Sequence, residues 1–314
     1  MVTAMSLVEK IGYFTIIFWG CRFVRKIIHM LYKSFLSPGM PIDLYSMGRW
    51  GVVTGCSHGL GKAYAEALAK MGINVVLINA TGIDMLKVVA SEIESIYNVR
   101  TKVIELDLSQ GLQAYELIEK ETFGMEVGIL VNNLGKGYPH PEYFLDLPHK
   151  EKIYMNIIQC NVVVVTNMCR IFLPQMVLRG RGVIVNVAAS AAVMPSPMLT
   201  VFAASKAYIL KFSKDLSAEY AKHGIIIQCL LPGSLTNTTF KSPHNGWIVP
   251  TPDNYVASAI NTIGQDDNTT GFFPHTVMVT LVRIAYKLSA PLVIKFTTCA
   301  MEGNRSNALR RYIE

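Results

Sequence analysis

The sequence predicts an α/β fold: one domain built on a doubly wound parallel sheet. Three observations carry this. From Trp50 onward, short apolar runs alternate with longer stretches of helical period, as successive βαβ units require. The short runs are continuously apolar rather than alternating in and out, the pattern of strands covered by helices on both faces. A glycine-rich turn, Thr54-Gly55-Cys56-Ser57-His58-Gly59-Leu60-Gly61, joins the first run to the first helical stretch.

Taken in chain order, Ile11 to Cys21 is an unbroken run of apolar, Gly and Thr residues, shorter than the ~20 residues a spanning helix needs. It continues as a helical pattern with Arg22, Lys26, His29 and Lys33 on one face and Phe23, Val24, Ile27, Ile28 and Leu31 on the rest. That suits a short spanning segment with snorkelling basic residues, or an amphipathic helix lying in the interface. The charge follows the apolar stretch and no small-residue cleavage site is evident, so a signal peptide is not expected. Pro38-Gly39-Met40-Pro41 ends the helix and links it to the domain. Strands are expected at Gly51–Val53, Asn74–Ile78, Lys102–Leu106, Ile129–Val131, Val183–Val187 and Ile225–Leu230, with a late one near Gly271–Phe273. Helices are expected near Lys62–Met71, Asp84–Tyr97, Leu112–Lys120, Val162–Leu178 and Phe202–His223. From Pro274 to Met301 the chain is apolar again but carries Arg283, Lys287 and Lys295, and Pro291 should interrupt its helix. A second membrane-contacting helix and a lid over a substrate cavity fit this tail equally. The expected organisation is an anchor and linker at 1–44, the α/β domain at 45–274, and an apolar, basic helical tail at 275–314.

Charge is distributed unevenly. The chain of 314 residues is 51% hydrophobic and 16% charged, with net charge +7 and mean hydropathy +0.33. Residues 1–50 and residues 275–314 each carry six Lys/Arg against two acids, +4 apiece, which leaves −1 for the middle. Basic ends on a near-neutral centre favour an anionic membrane surface and speak against nucleic acid, which would need a basic patch on the domain itself. The six cysteines are far apart, without C-x-x-C or metal-ligand spacing. They read as free, mostly buried thiols in a reducing compartment, and no metal site is expected.

The glycine turn has a physical purpose. Each glycine removes a Cβ where the chain must turn sharply or approach a pyrophosphate, and the helix N-terminus that follows faces the phosphates. Together with Asp107, Asn132-Asn133-Leu134-Gly135 and Phe202-Ala203-Ala204-Ser205-Lys206, the turn resembles the short-chain dehydrogenase/reductase family, with its T-G-x-x-x-G-x-G and Y-x-x-x-K signatures. The resemblance implies a Rossmann-like fold and a nicotinamide nucleotide site at Thr54, Gly55, Ser57, His58, Gly59, Leu60, Gly61, Asp107, Asn133, Gly135, Lys206, Pro232 and Gly233. Asp107 matches the residue that contacts adenine. Leu231-Pro232-Gly233 matches the loop that closes over the nicotinamide, with Thr236, Asn237 or Thr238 at hand for its carboxamide. Ala80 stands where NADP(H) users carry an Arg, and no acid stands where NAD(H) users hold the ribose. NADP(H) is placed ahead of NAD(H), with the affinity left open. Lys62 reads as a surface lysine.

The family's catalytic set is Asn, Ser, Tyr and Lys. Asn161 and Lys206 match. The tyrosine position is Phe202, four residues before Lys206, and the serine position, thirteen residues before that, is Ala189. Ser190 is one residue late, which at a strand end turns it to the other side. Tyr208 lies two residues beyond Lys206 and should point elsewhere on the helix.

Met47-Gly48-Arg49-Trp50, Gly128 to Asn133, Pro141-Glu142-Tyr143-Phe144, Trp247 to Pro252 and Thr269-Thr270-Gly271 narrow the resemblance to one branch. That branch holds very-long-chain 3-oxoacyl-CoA reductase, a 17-beta-hydroxysteroid dehydrogenase, and an inactive hydroxysteroid dehydrogenase-like protein that also has Phe for Tyr. It implies an oxidoreductase frame of lipid or steroid metabolism with impaired catalysis. The alternatives are an active reductase of 3-oxoacyl-CoA or 17-ketosteroids, and a partner-binding scaffold with a vestigial nucleotide site. The expected partners are the nucleotide, a lipid-like small molecule and a membrane, and a homodimer is compatible with the chain. The implied address is the cytosolic side of the endoplasmic reticulum membrane, with the mitochondrion as alternative.

Overall fold

The computed structural model describes residues 7–31, 42–80, 82–108, 111–236 and 247–313. Seven parallel strands form one sheet in the order β3-β2-β1-β4-β5-β6-β7. They are β1 (Trp50–Thr54), β2 (Asn74–Asn79), β3 (Thr101–Glu105), β4 (Val127–Asn132), β5 (Gly182–Val187), β6 (Ile225–Leu230) and β7 (Asn268–Thr269). The chain winds outward from β1 to β3, returns to β4, and winds the other way. The reversal between β1 and β4 opens a crevice at the strands' carboxyl ends, where such sheets bind ligands.

Each strand feeds two cores because its side chains alternate between faces. Val53, Val75, Leu77, Val131 and Val185 pack on one face with Leu68 of α2 (Gly59–Lys70), Ile93 of α3 (Ile83–Tyr97) and Tyr255 of α8 (Pro252–Ile260). Val52, Val76, Ile78, Leu130 and Ile184 pack on the other. There they meet Ile118 of α4 (Leu112–Glu121), Phe172 of α6 (Val164–Arg179) and Ile209 of α7 (Thr200–Tyr220). Burial of both faces explains the continuously apolar runs.

Two expectations are corrected. The last strand is Asn268–Thr269, not Gly271–Phe273. Gly271 turns with φ +68 and Pro274 sits in the first turn of α9 (Phe273–Leu288), so this stretch starts a helix. The helix expected from Val162 begins at Lys150, as α5 (Lys150–Ile158), and passes through a π turn at Gln159–Val163 into α6. This continuous helix is the one stretch, among the described residues, long and apolar enough to cross a membrane. Half of its apolar window is buried inside the protein, and Val164, Met168, Phe172 and Met176 are core residues, so packing accounts for its composition. The tail breaks at Ser289, two residues before Pro291, which lies in the first turn of α10 (Ala290–Ile313).

The apolar run at Ile11 belongs to α1 (Leu7–Leu31). Its Ile11, Phe14, Ile16, Ile17 and Trp19 are exposed, and the Arg22 guanidinium lies over the Phe18 and Trp19 rings. The side chains of Lys26 and His29, and Lys33 entirely, lie outside the described residues. Met1–Gly39 and Met40–Glu314 are two compact units. Within the second, α10 packs back on the loop after β4. Arg305 Nε donates to the buried Glu142 carboxylate at 2.6 Å, Tyr143 Oη donates to Glu302, and Met301 joins a small cluster with Tyr138, Leu147, Ile157 and Phe202. α10 thus lies against the cluster that Phe202 also joins, while Leu281, Leu288, Leu292 and Phe296 are exposed.

Candidate nucleotide and catalytic site

At the reversal of the sheet, the β1–α2 turn is locked to the end of β4. The Asn133 amide donates to the carbonyls of Thr54 at 3.1 Å and Gly55 at 2.9 Å. The Thr54 hydroxyl in turn accepts the backbone N–H groups of Asn133 and Leu134, at 3.1 and 3.0 Å. A Cβ at Gly61 would strike the Gly55 carbonyl and stand 2.6 Å from Asn133 Nδ2, so helix and turn touch backbone to backbone. Gly59 opens α2 with φ +61, and a Cβ there would meet nothing within 4 Å. His58 is the N-cap without a side-chain cap bond, so its side chain leaves the first backbone donors of α2 uncovered. Ser57 Oγ accepts from Asn79 Nδ2 at 3.1 Å and lies 2.9 Å from His58 Nδ1. Asp107 and Leu60 are half-buried at the same end of the sheet. Lys62 pairs with Glu92 at 2.9 Å and Glu66 at 3.6 Å, as a surface lysine does.

The catalytic positions gather across β4 and β5. The π turn places Asn161 fully buried, with its amide saturated: Oδ1 accepts from Lys136 N, while Nδ2 donates to Lys136 O and Ser205 Oγ, all at 2.9 Å. Lys206 is 5% exposed. Its ammonium donates to the Val187 carbonyl at 3.1 Å and lies 5.7 Å from the centre of the Phe202 ring. Burial pulls its pKa from 10.5 down to about 8, against a smaller upward pull from Cys229 and Cys160. A Cβ at Gly135 would be 3.0 Å from Lys206 Nζ and 3.2 Å from Asn161 Oδ1, so these three positions meet at one point. Phe202 is half-buried, its ring edge 3.5 Å from where a Cβ on Gly137 would sit. Ala189 is half-buried and extended before a short turn at Ser190–Ala192, and the Ser190 N–H is held by the Pro232 carbonyl at 2.8 Å. Pro232 and Gly233 therefore adjoin the catalytic positions. Tyr208 Oη is 2.8 Å from Thr166 Oγ1 and its ring stacks on Phe212.

The residues present fit a dinucleotide. Glycines bring backbone close at the turn, the Gly59 position faces open space, and the Thr236 hydroxyl after Pro232-Gly233 is buried with no partner among the described residues. Asn237 and Thr238 lie outside the described residues. Sequence reasoning missed Ser205, which holds the Asn161 amide, and His275, which bonds Gly233. Ser205 occupies a variable position of the Phe202–Lys206 segment and His275 stands in no motif, so only the folded chain shows what they bond.

Comparison with known proteins agrees with this geometry. The short chain dehydrogenase pattern matches residues 49–248. Very-long-chain 3-oxoacyl-CoA reductase-A of Danio rerio is 40% identical over 271 residues, 86% of this chain and 84% of that protein. Inactive hydroxysteroid dehydrogenase-like protein 1 of Homo sapiens is 40% identical over 235 residues, 73% of this chain and 70% of that protein. A solved structure of 7beta-hydroxysteroid dehydrogenase superposes with a TM-score of 0.72 at 24% identity, covering 82% of this chain and all of its own, and carries the fold alone. With its nucleotide turn, parallel sheet and Asn161–Lys206 pair in these places, the chain belongs to the short-chain dehydrogenase family.

Proposed function

We propose that this protein is a membrane-associated short-chain dehydrogenase that binds a nicotinamide nucleotide, NADP(H) ahead of NAD(H), and a fatty acyl or steroid carbonyl compound, with impaired hydride-transfer chemistry. The observation that carries this reading is Phe202: a hydrocarbon ring beside the Lys206 ammonium, where the family needs a proton on oxygen. When bound, the nucleotide supplies or accepts a hydride. Reduction of a carbonyl then needs a proton at its oxygen and a donor to polarise it. Phe202 has no proton to give and Ala189 has no hydroxyl. Losing a general acid costs on the order of 10²–10⁴ in rate, and losing an oxyanion-type donor on the order of 10²–10³. The two losses need not multiply, because the groups act as a unit. Asn161 and Lys206 remain to hold the helix turn and the ribose hydroxyls.

The lipid-like ligand is supported by similarity to the very-long-chain 3-oxoacyl-CoA reductase of Danio rerio. Membrane association is supported by the exposed apolar side chains of α1 and by the exposed Leu281, Leu288, Leu292 and Phe296 near Arg283, Lys287 and Lys295. The free cysteines, four of them buried, suit a cytosol-facing domain on the endoplasmic reticulum, with the mitochondrion as the other address.

Repair is the test. Phe202→Tyr with Ala189→Ser returns both hydroxyls to a frame that still holds Asn161 and Lys206. The wild type should transfer negligible hydride to fatty acyl-CoA or steroid ketones, and the double variant should gain measurable turnover. A second reading, an active reductase, is favoured by the low pKa of Lys206, about 8, which lets the amine yield a proton near neutral pH. Robust wild-type turnover that Lys206→Ala abolishes would establish it and overturn the first. No nucleotide binding at millimolar concentration would refute both and leave a partner-binding scaffold.

A further inference from the structure

His275 is fully buried at the start of α9 and bonds the Pro232-Gly233 loop, whose Pro232 carbonyl takes the Ser190 N–H. Two backbone groups determine its chemical state. The Gly233 N–H can only donate, and it meets Nδ1 at 3.2 Å. The Ile248 carbonyl can only accept, and it lies 2.9 Å from Nε2. One tautomer satisfies both: neutral imidazole with its hydrogen on Nε2. An imidazolium would turn a second N–H against the Gly233 N–H. Burial lowers the pKa of the ring, in the same direction, with backbone bonds to Ile248 and Ser234 working against it.

The ring is caged as well as bonded. Tyr255 and Phe272 lie 5.8 and 5.3 Å from it, centre to centre, and the Tyr255 hydroxyl donates to Thr270 O at 2.7 Å. A Cβ at Gly233 would stand 2.9 Å from His275 Cδ2, so imidazole and strap are in direct contact and only glycine leaves room. On the site side, the Pro232 carbonyl takes the Ser190 N–H at 2.8 Å. Thr236 N donates to Pro250 O at 3.2 Å, and the Thr236 hydroxyl is buried without a partner among the described residues. The strap that adjoins Ala189 is thus bonded by one buried side chain.

We infer that His275 is a positioning residue for the nicotinamide half of the nucleotide site: its neutral imidazole pins Gly233 to the Ile248 segment and so sets where the Pro232–Gly233 strap meets the nicotinamide. The inference rests on the nucleotide-binding reading above. It separates the site into two halves. The adenosine half depends on the β1–α2 turn, while the nicotinamide half depends on the strap that His275 bonds. A displacement on the order of 1 Å at such a positioning contact is enough to cost substantial function.

The test uses the full chain, titrated by calorimetry with NADPH and 2′,5′-ADP and with NADH and ADP, each fragment lacking the nicotinamide. His275→Phe keeps a ring between Tyr255 and Phe272 but cannot accept from Gly233. It should weaken the dinucleotide about tenfold and leave the matching fragment unchanged. His275→Asn retains an acceptor near the Nδ1 position and should recover part of the loss. If His275→Phe does not fold, the Asn variant against wild type, with hydrogen exchange at the Gly233 amide, carries the same comparison. Equal loss of dinucleotide and fragment would reduce His275 to a structural role, and no loss of either would remove the role altogether. Wild-type protein that binds neither would fail the nucleotide reading and this inference with it. Wild-type binding with unaltered variants fails this inference alone.

Discussion

Replacing Lys206 by Met removes a charge that the fold holds at a cost. The amine is 5% exposed, donates to one carbonyl, Val187 O, and otherwise faces the Phe202 ring. The fall of its pKa from 10.5 to about 8 corresponds to about 3 kcal/mol of penalty for burying the charged form. Met keeps a flexible apolar stem of similar reach but loses the bond to Val187, worth about 1 kcal/mol. Near pH 7 the variant should therefore be more stable than wild type by about 2 kcal/mol. The folded pKa lies below the unfolded one, so the penalty is complete below about pH 8 and disappears as pH rises toward 10.5. Urea denaturation followed by circular dichroism, repeated at rising pH, should show the gain shrinking across that window. The same variant should bind nicotinamide nucleotide less well, the sign of a residue kept for function against stability. A variant less stable than wild type near neutral pH, or a gain indifferent to pH, would refute the argument.

Three further outcomes follow from the geometry. Gly61→Ala forces a methyl against the Gly55 carbonyl and the Asn133 amide. It should abolish nucleotide binding and destabilise by about 1–3 kcal/mol in thermal or urea unfolding. Arg305→Ala strips Glu142 of its ion pair; burial raises the pKa of that carboxyl, but the bonds from Arg305 and the Tyr143 amide outweigh it and hold the pKa below 4.5. Release of α10, read as proteolytic cutting near Met301, should then occur at neutral pH. In the wild type it should appear only as pH falls below 4.5 through the depressed value, because the stabilisation is present above the ordinary pKa and lost beneath it. Full-length protein should sediment with anionic vesicles. Release by salt would mark surface binding and resistance to carbonate would mark insertion of α1, while protein left in the supernatant at low salt would end the membrane proposal.

The sheet, its winding and the nucleotide turn were legible in the sequence because they depend on local pattern. Continuous apolar runs such as Ile129–Val131 announce strands buried on both faces, and the Thr54–Gly61 turn needs glycines that no other residue replaces. The substitutions at Ala189 and Phe202 were legible for the same reason: their spacing to Lys206 is covalent. Periodicity could not locate β7, because two residues at a sheet edge carry no pattern, and the turn at Gly271 resembles a strand end. It placed the start of the helix at Val162 rather than Lys150, because the π turn at Gln159–Val163 breaks the helical period. Tertiary structure alone decided that Arg305 meets Glu142, that Met301 and Phe202 pack on one cluster, that Ser205 holds Asn161 and that His275 grips Gly233. The hydrogen-bonded partners lie from 42 to 163 residues apart, joined by contacts that no local spacing encodes. Only burial and close packing reveal what each polar group must bond to.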